Sequence, residues 1–327
     1  MRPNPFNHAA RPLERSRDSP LRPWDITAHE ECYVAVDDTE DKYMEFCTLF
    51  EDLSALQDAG HVILATGGTA DGKTSLLNRC AAALQGHGLP VGKEGTDPKS
   101  KDDSPVHSTV KIVDLSGLRF PRENDSTLYQ EVLNTLVSRG MKFSSSTEDT
   151  ATGYAALSSD LGDMGNYLVV LLPPADTVER VRNYLRFARN RIVFMTESSR
   201  GLLDTISRHT RGRPEHFADF LDEQVGRYPD RYLFHMHVGP LKPDDYWKYV
   251  KERVEKTPES PRINEELIKV VRDRRSDVTS IGQWRKILFE VFSRNRMDTV
   301  DETHFEPYLL FGAPLWKQFM EPEDGAV

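Results

Sequence analysis

The chain is 327 residues long, with 29% charged residues and a formal net charge of −10. That length holds one large domain or two smaller ones, and the acidic balance excludes a general nucleic-acid coat while leaving room for a local basic patch. Cys32, Cys47 and Cys80 lack zinc or redox spacing, and no apolar run suits a secretory signal or a bilayer span, so reduced thiols and a cytoplasmic location are expected.

Residues 1–27 are rich in Pro and Arg and poor in apolar side chains, the composition of a flexible tail. Across residues 38–56, Tyr43, Phe46, Leu49, Phe50, Leu53 and Leu56 recur at helical spacing. Residues 61–75 then read His-Val-Ile-Leu-Ala-Thr-Gly-Gly-Thr-Ala-Asp-Gly-Lys-Thr-Ser. The apolar run at 62–65 is a strand, residues 67–74 match G-x-x-x-x-G-K-[ST], and Leu76, Leu77, Cys80 and Ala81 carry a helix. Strand, glycine loop and helix come in the order that a phosphate-binding loop requires.

The residue types follow from that task. Gly67 and Gly72 permit backbone angles that a Cβ opposes, so successive N–H groups can turn toward polyphosphate oxygens. The helix beginning near Lys73 points its positive end at the same anion. Lys73 reaches the β- and γ-phosphates, and the Thr74 hydroxyl meets Mg²⁺. The expected binding set is Gly67, Gly68, Thr69, Ala70, Asp71, Gly72, Lys73, Thr74 and Ser75, with ATP and Mg²⁺ as ligands.

Residues 86–107 are dense in Gly, Pro, Lys and Asp and predict a mobile surface loop. A second strand is expected at 110–115 and an amphipathic helix at 126–137; residues 143–166, small and polar, read as a loop. The continuous apolar run 167–172, closed by Pro173-Pro174, predicts a strand buried on both faces. Asp176 is placed to cap a helix over 177–188. A fourth strand at 191–195 ends in Thr196-Glu197-Ser198, an Arg-rich connection follows, and 232–238 is a fifth strand. Helices are expected from Asp244, over 265–272 and 282–292, and near Phe305, with a Pro-rich break at 257–261. The pattern predicts a three-layer αβα P-loop NTPase fold with a parallel five-stranded sheet and an all-helical C-terminal lid. The expected division is 1–27 tail, 28–256 αβα domain and 257–327 lid.

Over roughly residues 30–310 this ordering resembles the AAA+ and STAND-type ATPases. The phosphate loop stands in for Walker A at every fixed position. The resemblance implies a Walker B strand ending in Asp-Glu, one acid for Mg²⁺ and one for the attacking water. Here the matching strand ends in Pro173-Pro174, and its first acid is Asp176, the candidate metal ligand beside Thr74. Asp114 and Glu197 are the alternative acids. The departure implies slow hydrolysis, with Glu197 and Asp176 as candidate catalytic acids. Thr196-Glu197-Ser198 looks like sensor 1, and Arg285 in Gly282-Gln-Trp-Arg looks like sensor 2. Arg227, like Arg231, lies before the fifth strand, where the family places an arginine that reaches a neighbouring subunit's nucleotide. A homo-oligomer and an unidentified protein partner are therefore implied, without a membrane.

Two competing functions stay open: an ATP-binding module without significant hydrolysis, and a small-molecule kinase using Asp114 as base and residues 208–213 as lid. No Asn-Lys-x-Asp or Thr-Lys-x-Asp is present to read guanine, and no Gly-x-Ser-x-Gly elbow. Arg180, Arg182, Arg186, Arg189 and Arg191, with Arg208, Arg211 and Arg213, are the basic clusters that keep nucleic acid open; a solvated or subunit-contacting face is the plainer reading. His235 and His237 share one side of a strand and read as buried or edge histidines rather than a metal pair.

Overall fold

Five apolar segments pair into one sheet: β1 (Gly60–Thr66), β2 (Val110–Asp114), β3 (Tyr167–Leu171), β4 (Ile192–Glu197) and β5 (Arg231–His237). The structure is a computed structural model that describes residues 4–7, 20–37, 39–87, 109–118, 125–143, 150–198, 202, 231–275, 277–294 and 298–309. The strand order is β2-β3-β4-β1-β5, and every pairing is parallel. β1, β3 and nearly all of β4 are buried along their length, as their unbroken apolar runs predict for central strands covered on both faces. The architecture is the three-layer αβα P-loop fold followed by C-terminal helices.

By its internal contacts the chain forms two compact units. One comprises Lys42–Thr66 and Leu76–His237. Within it, α4 (Asp125–Ser138), α5 (Thr150–Asp163) and α6 (Val178–Phe187) close over the sheet face that carries Val62, Leu64, Val170 and Phe194. The opposite face carries His61 and Phe234, which meet Phe50 and Phe46 around the end of α1 (Thr39–Leu49). The expected helix over 38–56 stops at Leu49; Leu53 adopts φ +60°, and a separate short helix α2 follows at Ala55–Asp58.

α5 lies where the sequence reads as a loop. Its small residues conceal a spacing of Tyr154, Leu157 and Leu161 that buries one stripe. Gly153 has a packing role: a Cβ there would lie 2.5 Å from the Tyr129 ring. The residues that lowered the apparent helix signal thus let α5 approach α4 closely.

The other unit comprises Met1–Asp41, Gly67–Ser75 and Val238–Val327. Its core joins α7 (Asp245–Glu255), α8 (Glu265–Arg274), α9 (Ile281–Arg294) and α10 (Glu302–Leu309) around Trp284, Tyr249, Ile268, Ile287 and Phe305. The buried Trp284 donates its indole N–H to the Tyr246 carbonyl at 3.2 Å, meeting the polar demand of a buried indole. Residues 4–7 differ from the expected flexible tail. Phe6 is fully buried in this core, because the one large aromatic of that stretch finds Tyr249 and Phe292 to pack against.

Candidate nucleotide site

β1 runs directly into the glycine loop. Gly67 has φ +152°, and a Cβ there would lie 2.4 Å from the Val238 carbonyl oxygen. Gly72 has φ +90°. Both positions need glycine for conformation, as the motif predicts, and Gly67 needs it for space as well. Ala70 takes φ +66°, which costs a non-glycine residue about 1 kcal/mol. Its carbonyl accepts the Gly282 N–H at 2.8 Å, tying the loop to the start of α9. A Cβ at Gly282 would lie 2.7 Å from that same oxygen, a second close approach that sequence reasoning passed over.

Lys73 opens α3 (Lys73–His87) and is buried. Its ammonium folds back over the loop, donating to the carbonyls of Gly67 at 3.2 Å and Gly68 at 2.5 Å. Asp71, also buried, accepts the Gly68 N–H. An acid inside the loop therefore holds one of the N–H groups that an anion would take. Gly68, Thr69 and Ala70 are exposed, and Thr74 is half-buried in the first turn of the helix. Ser75 accepts the Leu21 N–H on its hydroxyl at 3.3 Å and the Tyr33 hydroxyl on its carbonyl at 2.7 Å.

Asp37 lies in the same unit and was not anticipated. It is buried, with φ +48°, and neither carboxyl oxygen has a hydrogen-bond partner among the described residues. Its own N–H donates to the Asp245 carboxylate at 3.1 Å, and the nearby Thr39 hydroxyl donates to the Val36 carbonyl at 2.6 Å. Burial pushes the Asp37 pKa up to about 8, Thr39 partly offsetting and the charges of Asp245 and Asp71 adding.

Arg285 sits on α9 three residues after the Ala70–Gly282 contact and is half-buried. Arg227 and the 208–213 cluster lie outside the described residues, as do residues 88–107 of the expected mobile loop.

The acids divide by strand order. β1 lies between β4 and β5, so β4 separates it from β3, and Ala65 stands in register with Glu197. Glu197 is half-buried. Beyond β3 the chain stays beside β4: Leu172 N–H donates to Met195 O at 2.8 Å and Ala175 N–H to Glu197 O at 2.7 Å. Pro173 and Pro174 have no N–H to donate, and the buried Thr196 hydroxyl satisfies the Pro173 carbonyl by donating to it at 2.9 Å. That hydroxyl of the sensor-1-like triplet is therefore committed to the sheet. The neighbouring Ser198 hydroxyl is buried without a partner among the described residues.

Asp176 is exposed, and it is not the cap of α6. Thr177 is the N-cap, its hydroxyl accepting the Arg180 N–H at 3.1 Å. Asp114 ends β2 three strands away from β1, about 14 Å at ordinary strand spacing. One of its oxygens accepts the Ser116 N–H at 3.0 Å and the Ser116 hydroxyl at 2.6 Å.

The remaining motifs are occupied structurally. His235 and His237 meet the Thr66 hydroxyl at 2.7 and 3.1 Å, and burial brings the His235 pKa down to about 4, with His237 and Lys42 adding. Arg180 pairs with Asp125 at 3.4 Å and Arg182 with Glu179 at 2.8 Å. Arg189 donates to three backbone carbonyls, and Arg191 lies 5.0 Å over the Tyr167 ring. No group of three or more His, Cys, Asp or Glu among the described residues could hold a metal.

A glycine loop of this geometry after the first strand, a parallel sheet of this order and helices C-terminal to it define a three-layer αβα P-loop fold. No protein-family model and no curated protein matches the chain. Solved structures do. The ORC2 protein of Aeropyrum pernix in its ADP form is 14% identical, over 85% of this chain and 68% of that one, with a TM-score of 0.52. Cdc6p of Pyrobaculum aerophilum is 13% identical, over 88% of this chain and 71% of that one, with a TM-score of 0.50. At these identities the likeness is one of fold, and the chain spans about two thirds of the length of these proteins. No described helix is long and apolar enough to cross a membrane.

Proposed function

We propose that the chain binds Mg-ATP at Gly67–Thr74 and hydrolyses it slowly, switching its conformation or assembly in the manner of AAA+ or STAND proteins. The observation that carries this is the loop itself: Gly67 and Gly72 hold positive φ, Lys73 lies over the loop carbonyls, and Gly68 to Ala70 are exposed. The ORC2 neighbour was solved with ADP, which supports a nucleotide as ligand. On this reading Lys73 swings from Gly67 O and Gly68 O to the β- and γ-phosphates, since a phosphate is the stronger acceptor.

The donor set fits Mg²⁺. One hydroxyl, one carboxylate and the phosphate oxygens suit a hard ion that keeps several waters. Thr74 supplies the hydroxyl. Glu197 is the acid proposed to orient the attacking water, because β4 lies beside β1 and Glu197 stands level with Ala65. When bound, the ion neutralises charge on the phosphates. Arg285 and Arg227 are proposed to contact nucleotide, Arg227 from a neighbouring copy.

The second reading, an ATP-binding module without turnover, is favoured by one finding: the strand end that should carry two acids carries two prolines and the exposed Asp176. Turnover of the purified protein, with its size measured with and without nucleotide, separates the two. Turnover without an acceptor supports an ATPase. Tight binding without turnover supports the module, and turnover only with a metabolite supports a kinase. A location in the cytoplasm and a protein partner belong to the same proposal.

A further inference from the structure

The first described residues, Asn4-Pro5-Phe6-Asn7, form a self-closed turn. Asn4 Oδ1 accepts the Phe6 N–H at 2.9 Å, and the Asn4 carbonyl accepts the Asn7 N–H at 3.0 Å. Proline at the second position presets φ, and asparagine at the first closes the turn with its side chain. Such a segment is shaped by its own bonds and loses little entropy on docking.

Its seat is built by two helices of the same unit. The Phe6 ring meets Phe292 of α9 edge-on at 5.0 Å and Tyr249 of α7 at 5.9 Å. Asn4 Nδ2 donates to Phe289 O at 2.8 Å and to Ser293 Oγ at 2.7 Å, in the last turns of α9. Arg253 of α7 is buried, and its guanidinium donates from Nε, at 2.8 Å, and from Nη2 to one acceptor, the Pro5 carbonyl. That carbonyl is the only hydrogen-bond acceptor of the Arg253 side chain among the described residues. A buried guanidinium whose acceptor is one backbone carbonyl is costly to leave empty. The seat therefore has the parts of a peptide receptor: an aromatic pocket, a buried charge that reads one carbonyl, and a helix end that reads an amide.

We propose that α7 and α9 form a receptor for an Asn-Pro-Phe turn, and that the N-terminus of this chain is its exchangeable ligand, seated in cis here and able to pass to the same seat on a second copy. All contacts used come from four consecutive residues. The specificity lies at Asn4 and Phe6; Pro5 contributes its carbonyl and the turn.

The test uses the full-length protein and a fluorescent peptide with the sequence of residues 1–8. Full-length Phe6→Ala has its aromatic pocket vacated and takes up the peptide at least tenfold more tightly than wild type, whose seat is filled in cis. A peptide carrying Phe6→Ala binds at least tenfold more weakly, and adding Arg253→Gln to the Phe6→Ala protein removes uptake. Asn4→Ala, which keeps the core volume, gives uptake between wild type and Phe6→Ala and decides the matter if Phe6→Ala does not fold. Equal uptake of both peptides by folded Phe6→Ala, or uptake by Asn4→Ala no greater than by wild type, overturns the proposal.

Discussion

β1 and β3 end at the same edge of one parallel sheet, where open α/β sheets bind their ligands, yet the chain leaves them in opposite ways. After Thr66 it opens into a loop of positive-φ residues whose tip is exposed. After Leu171 it stays zipped to β4 through Leu172 and Ala175, with the Thr196 hydroxyl satisfying the Pro173 carbonyl. The first end is shaped to receive a ligand through its backbone. The second is sealed by strand pairing, and Asp176 just beyond it is exposed. A nucleotide site needs both a phosphate cradle and an acid. Here the glycine loop follows β1, and prolines stand after β3 where the resemblance implies acids; Glu197 at the end of β4 is proposed in their place.

The largest expected effect breaks or secures that transfer. If Glu197 orients the attacking water, Glu197→Gln lowers ATP turnover by roughly 10²–10⁴-fold while leaving ATP affinity within a few-fold of wild type. Single-turnover hydrolysis beside equilibrium binding measures both. Wild-type turnover in Glu197→Gln returns the acid to the β3 side, and the absence of turnover in wild type itself leaves the binding module.

The next effect tests the cradle alone. Lys73→Ala removes the ammonium that lies over Gly67 and Gly68. A hydrogen bond to a charged group contributes about 1.5–3 kcal/mol, so ATP affinity is expected to fall by roughly 10–150-fold. The substitution should leave the far-ultraviolet circular dichroism unchanged. Unaltered affinity ends the phosphate-loop reading, whatever Glu197 does.

The contrast also explains what could be read in advance. Gly67, Gly72, Lys73 and Thr74 announce a local task, and local backbone geometry is what a short motif encodes. Buried strands were legible because an unbroken apolar run has few other uses. Strand order was not legible: nothing in 167–172 or 191–195 says which lies beside β1, because that depends on crossovers through α4 to α6. The choice among Asp114, Asp176 and Glu197 hung on that order. α5 was hidden for another reason. Its Gly and Ser residues weaken helix propensity, while their close packing on Tyr129 is a tertiary gain that propensity cannot register. Asp37 gave no signal, since an acid before a helix is ordinary and only burial makes it unusual.

Asp37 provides a third, smaller effect on the cradle side. In the folded protein its pKa is raised to about 8, against about 4 for an unfolded Asp. Between those values the folded state binds the extra proton, so this group's contribution to stability falls as pH rises from about 4 to about 8, then levels off. Asp37→Asn is neutral throughout and escapes the loss. Its melting temperature relative to wild type should therefore rise by several degrees between pH 5 and pH 8. A difference independent of pH means that Asp37 is ionised or exposed in the folded state.

The smallest effect concerns the sealed end and sharpens the comparison from its other side. Thr177 and Asp176 stand together at the entry of α6, and sequence alone favours Asp176 as the cap. The hydroxyl of Thr177 takes the Arg180 N–H at 3.1 Å, while Asp176 is exposed. Removing an N-cap side chain costs about 1 kcal/mol, so Thr177→Ala should lower the urea midpoint without changing the slope of the transition. Asp176→Asn should leave stability within about 0.5 kcal/mol, the usual range for surface substitutions, and turnover near wild type. The two substitutions exchange roles if Asp176 caps the helix. A third pattern is more informative: if Asp176→Asn spares stability but abolishes turnover, the exposed acid reaches the nucleotide despite the prolines. Glu197 then loses its role, and the two strand ends work together as the family pattern implies.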